Sequence, residues 1–88
     1  MDGIDPYGHD FFYVGNRTVE LLAMPRSEWV ARKAVKTAKA KHVNVTIRKS
    51  GTTFKIYVTG KKWLQAVNAI TPLVVFYNSI EAAKDGEV

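Results

Sequence analysis

The chain of 88 residues is 47% hydrophobic and 24% charged and holds no cysteine, which fits one small folded domain and excludes a disulfide framework or a thiolate zinc site. Its formal charge of +5 is unevenly spread: eleven Lys/Arg residues lie between Arg26 and Lys62 with Glu28 as the sole acid, and both flanking segments are net acidic. No apolar run approaches the roughly 20 residues of a membrane helix, the N-terminus is acidic where a signal peptide is basic, and the lack of cysteine suits a reducing compartment, so a cytoplasmic protein without membrane association is expected.

Residues 1–9 carry Gly3, Pro6 and Gly8 among acids and are expected to form a flexible leader to a single domain over residues 10–88. A first hairpin follows, with Asp10–Val14 pairing antiparallel to Arg17–Ala23 across a two-residue turn at Gly15-Asn16. Pro25 and Ser27 then signal a helix start, with Glu28 near the positive end of the helix dipole. Over "SEWVARKAVKTAKAK" the 100° rotation per residue places Val30, Ala31, Ala34, Val35 and Ala38 on one face. Arg32, Lys36 and Lys39 fall on the opposite face, flanked by Lys33 and Trp29.

"VNVTIRKSGTTFKIYVTG", residues 43–60, alternates strictly on both sides of a Ser50-Gly51 pair. A turn on those two residues faces Ile47 with Phe54, Val45 with Ile56 and Val43 with Val58, so the six apolar residues share the core side of a second hairpin. The other side then carries Asn44, Thr46, Arg48, Thr53, Lys55, Tyr57 and Thr59. Gly60 ends the strand, and Trp63, Ala66, Val67 and Ile70 recur at helical spacing. Thr71-Pro72 is expected to stop that helix and to open another, with Leu73, Phe76, Tyr77, Ile80 and Ala83 as its stripe, although "LVVFY" also has strand composition. The expected fold is α+β: two antiparallel β-hairpins and two to three helices in the order ββαββα(α), the helices packed on one face of the sheet.

Signatures of catalysis are scarce. The six glycines form neither a phosphate-binding loop nor a dinucleotide fingerprint. Asp2, Asp5, His9 and Asp10 cluster without a known ligand spacing, and His42 stands alone as a possible acid–base group. No enzyme activity, metal or cofactor is therefore expected.

The basic middle points to an anionic partner instead. Arg48, Lys55 and Tyr57 on the hairpin can hold phosphates and stack a base, and Trp29, Arg32, Lys33, Lys36 and Lys39 offer a second row. Lys49, Lys61 and Lys62 complete the candidate nucleic-acid-binding set. A solvated face built only for solubility mixes charge signs, and here acids are nearly absent. The expectation is a non-enzymatic binder of DNA or RNA acting mainly through the backbone. The alternative is a regulatory or inhibitory module docking a basic, aromatic patch on an acidic protein surface. A homodimer would add avidity in a chain this small.

Overall fold

Four strands and two helices form over residues 11–86, the part of the chain that the computed structural model describes. The expected leader lies outside those residues. The elements are β1 (Phe11–Gly15), β2 (Thr18–Leu21), α1 (Glu28–Ala38), β3 (Asn44–Ser50), β4 (Thr53–Thr59) and α2 (Trp63–Lys84). The strands make one antiparallel sheet in the order β1-β2-β4-β3, so the α+β class and the ββαββα order hold while the optional third helix is not seen.

One face of the sheet makes the core. Phe11, Val19, Leu21, Ile56 and Val58 are buried there beneath Val30, Ala31 and Ala34 of α1 and Ala66, Val67, Ile70 and Val74 of α2. Helix α1 lies over β4 and β3, and α2 over β4 and β2. Val43, Val45 and Ile47 pack against this core but stay half-exposed because β3 is an edge strand. Trp63 closes the other side, its ring edge-on to Phe11 at 5.0 Å between centroids.

Both hairpins differ in register from the sequence reading. In the second, Ser50 pairs with Thr53, Arg48 with Lys55, Thr46 with Tyr57 and Val45 with Val58. The turn is therefore Gly51-Thr52, with Gly51 at φ 63° supplying the positive φ of the first turn position. The change shifts every partner by two residues, which leaves each side chain on its face; the apolar pattern is blind to such a slip, and turn chemistry decides it. In the first hairpin Gly15 faces Thr18 across a turn at Asn16-Arg17, both left-handed at φ 51° and 58°, and the register shifts between Tyr13 and Gly15. Two successive left-handed residues match the right-handed twist of the strands, so Gly15 serves the bulge and the turn sits one residue later than expected.

Helix α1 begins as the sequence signals: the Ser27 side chain accepts a hydrogen bond from the Val30 N–H. It ends at Lys39, which is left-handed at φ 52°. Helix α2 is continuous through Pro72, where a break was expected. Proline removes one backbone bond and costs about 3 kcal/mol in a helix interior. Here its ring is exposed, and the buried residues Ala66, Val67, Ile70 and Val74 keep three- and four-residue spacing across it, so packing on both sides offsets the loss. The buried stripe runs through Val74 and leaves Phe76 exposed. No helix among the described residues is long and apolar enough to cross a membrane.

The two ends of the molecule differ in chemistry. At one end a polar clasp joins the start of α1 to the last turns of α2. Asn78 accepts from the Arg26 N–H through Oδ1 and donates to the Met24 carbonyl through Nδ2. The Ser27 hydroxyl donates to Glu81 at 2.8 Å, and Arg26 lies 3.5 Å from Glu81 and 3.3 Å from Asp85.

Candidate nucleic-acid interface

The antiparallel layout gathers five chain segments at the opposite end. Thr59 of β4 pairs with Thr18 of β2 and with Asn44 of β3, which brings the start of two strands and the end of a third together. The Gly60 N–H donates to the Arg17 carbonyl, drawing the first hairpin turn against the β4–α2 connection. Helix α1 ends there and α2 begins there. Arg17, Lys39, Lys41, Lys61 and Lys62 all belong to this basic pole, and all five are exposed.

Charge pairing sharpens the asymmetry. All 13 Lys/Arg residues lie in the described part of the chain, with only four carboxylates, Glu20, Glu28, Glu81 and Asp85. Each of these is paired away from the pole. Glu28 accepts from Arg32 Nε at 2.6 Å, Glu20 lies 3.5 Å from Lys55 Nζ, and Glu81 and Asp85 hold Arg26. None of the pole cations is paired with a carboxylate among the described residues, so none of those four carboxylates cancels their field at short range.

Between Lys39, Lys41, His42, Lys62 and Gln65 lies a pocket of about 470 Å³. Its wall is shaped by backbone. Lys39 and His42 are both left-handed, at φ 52° and 62°, which folds the α1–β3 connection back on itself. Gly60, at φ 135°, lets β4 pass so close to that connection that a Cβ on it would stand 3.0 Å from the His42 carbonyl oxygen.

The outer face of the sheet adjoins the pole, and among the described residues no helix lies over it. A depression of about 280 Å³ there is lined by Val14, Thr18, Thr46, Arg48, Tyr57 and Thr59. The Arg48 guanidinium lies 5.6 Å above the Tyr57 ring, and the Thr18 and Thr59 hydroxyls are 2.8 Å apart. Phe12, 55% exposed, and Val14, 59% exposed, project from the same face. The surface thus offers hydroxyls, one stacked cation and exposed apolar side chains beside the Glu20–Lys55 pair.

The sequence-predicted residues fall on several surfaces. Arg48, Lys55 and Tyr57 stand on the outer sheet face; Lys39, Lys61 and Lys62 stand at the pole. Arg32, Lys33 and Lys36 are exposed on α1, on the far side of the sheet from Tyr57. Lys49 lies near the tip of the second hairpin, opposite Phe54. Trp29 is 41% exposed, but the Lys84 ammonium sits 4.9 Å from its ring centroid and Tyr77 packs edge-on to it at 5.8 Å, so much of its surface is engaged. Lys39 and Lys62 meet in one pocket, as do Arg48 and Tyr57 in the other, whereas the α1 row and the sheet face cannot touch one straight duplex together. Sequence reasoning passed over Arg17, Lys41 and Gln65 as site residues. Their signal was topological, because a ββαββα order with antiparallel neighbours returns the first turn and both helix ends to one edge. Among the described residues there is no group of three or more His, Asp or Glu side chains suited to a metal ion. Comparison of the chain with protein-family models, with curated proteins and with solved structures gives no match.

Proposed function

We propose that this protein is a small, non-enzymatic binder of nucleic acid that engages the phosphate backbone with its basic pole and rests unstacked bases or sugars on the adjoining outer sheet face. The observation that carries the reading is the pairing pattern: each described carboxylate is matched to a cation elsewhere, and among the described residues none is paired with the five cations of the pole. Phosphate contacts by Lys and Arg position a nucleic acid without reading its sequence, and Tyr57 with Arg48 above it supplies a platform of the kind that stacks bases. Five phosphate contacts give a slope of about −4.5 for log affinity against log salt on a duplex, and about −3.5 on a single strand. Fluorescence anisotropy across a salt series tests this. Lys61→Glu and Lys62→Glu are expected to weaken binding and flatten the slope, while Arg32→Gln, whose cation already serves Glu28, leaves both nearly unchanged. Absence of binding to any DNA or RNA at low salt ends the proposal.

A second reading has its own observation. Val75 and Phe76 of α2 are 56% and 54% exposed on a helix that is otherwise largely apolar, and such residues anchor protein interfaces. A regulatory module docking on an acidic protein would depend on Phe76 more than on salt, so Phe76→Ala separates the readings.

A further inference from the structure

We infer that the pocket between the end of α1 and the start of α2 takes a phosphate monoester, the terminal phosphate of a nucleic-acid strand being the source that the proposed function favours. The inference rests on that function for its source and on the pocket for its chemistry. The pocket's polar side chains come from two stretches distant in sequence: Lys39, Lys41 and His42 in the connection that follows α1, and Lys62 and Gln65 at the start of α2. Three lysines therefore line one concave space, and among the described residues no carboxylate lines it. Cations spread along a convex face suit the single charges of successive diesters. Cations converging on a cavity suit one compact dianion, and a terminal monoester carries roughly two charges and three acceptor oxygens.

Size and lining agree with that ligand. About 470 Å³ lies within the roughly 300–1,000 Å³ of small-ligand sites, enough for a phosphate and its sugar. Beneath the lysines the lining is alanine, from both helices, so a ligand can approach the backbone closely, and Gln65 offers a donor and an acceptor to the sugar. The first turn of α2 opens on the same space without an acid and without a side-chain cap. Its positive dipole end adds to the field that the lysines set up. An internal phosphodiester carries one charge and a nucleotide on each side, so it matches three lysines around one pocket less well than a strand terminus does.

The test compares strands of about 12 nucleotides, identical in sequence and bearing a 5′-phosphate, a 3′-phosphate or hydroxyls only, with adenosine monophosphate as the free small-molecule arm. Affinities are read by anisotropy for the strands and by amide chemical-shift changes at Leu64 and Gln65 for all probes. A terminal phosphate is expected to tighten binding about tenfold or more. Lys41→Gln and Lys62→Gln lose that increment, while Lys33→Gln on the exposed face of α1 keeps it. Equal affinity for phosphorylated and hydroxyl ends overturns the inference and leaves nucleic-acid binding standing. Binding of adenosine monophosphate at Leu64 and Gln65 with no strand bound supports the pocket and sinks the nucleic-acid reading. Silence of those amides toward every phosphate-bearing probe overturns the pocket itself.

Discussion

Gly60→Ala perturbs the junction on which the basic pole is built. The glycine has φ 135°, a conformation that side-chain-bearing residues rarely adopt, and holding alanine there costs roughly 1–3 kcal/mol. The new Cβ would stand 3.0 Å from the His42 carbonyl oxygen and 3.3 Å from the Val43 Cα. Both are backbone atoms, so no side chain can rotate away and the entry to β3 must move, which adds about 1–3 kcal/mol of overpacking. Hydrogen bonds from Gly60 to Arg17 and from Trp63 to Gly60 resist that movement. The sum, about 2–6 kcal/mol, is large against the ~4–13 kcal/mol that stabilises a domain of this length. At about 4–8 °C per kcal/mol the melting temperature falls by roughly 8–48 °C. Gly51→Ala is the control: its φ is also positive, at 63°, but nothing lies within 4 Å of the added methyl, so only the left-handed cost of about 1–2 kcal/mol applies. Thermal melts followed by circular dichroism measure both. If Gly60→Ala melts at or above Gly51→Ala, the close approach at the pole is wrong.

Two further changes probe the core and the clasp. Thr71→Val is expected to hold or raise stability by about 0.5–1.5 kcal/mol in denaturant titration, because the Thr71 hydroxyl is buried without a partner among the described residues and an unsatisfied buried donor is a net cost. A clear loss would mean that the hydroxyl is bonded. Asn78→Ala removes an acceptor for the Arg26 N–H and a donor to the Met24 carbonyl together, and is expected to cost about 1–3 kcal/mol. Hydrogen exchange should quicken at the Arg26 amide beyond the global change; unchanged protection there would remove Asn78 from the clasp.

The sheet and helices were legible where one face is buried and the period is regular. The α1 stripe of Val30, Ala31 and Ala34 is the face that packs, and its Ser27 cap forms. The alternation from Val43 to Val58 identifies the hairpin and its two faces, yet not its register, since pairing Thr46 with Lys55 or with Tyr57 leaves both faces intact. The same limit appears in α2. Thr71-Pro72 carries a local stop signal, and only the tertiary contacts of Val67, Ile70 and Val74 show that burial on both sides outweighs it. At the candidate site, the cations were visible one by one, whereas their grouping depends on which strand ends meet. Arg17 is far from Lys61 and Lys62 in sequence, and it reaches the same end because β2 pairs with β4 and the Gly60 N–H bonds to the Arg17 carbonyl.

Lys62 is where local rule and global arrangement conflict, and conflicts of that kind mark sites held for function. A helix start favours an acid or a small polar cap, but Lys61 and Lys62 lead into α2, with Lys62 at the cap position, no acid in the first turn and no side-chain cap. Selection for stability alone would put a carboxylate there. Lys62→Asp would remove repulsion between an ammonium and the positive end of the helix and add an attraction, a gain of about 0.5–1 kcal/mol. The same change places a negative charge in the pocket that Lys39 and Lys41 line. The expected outcome is a protein that melts a few degrees higher and binds phosphate-bearing strands more weakly. Measured together, melting temperature and affinity should move in opposite senses. A variant that is less stable and binds as well as before would show that Lys62 serves the fold, and the basic pole would lose the argument that its charges are placed for a partner.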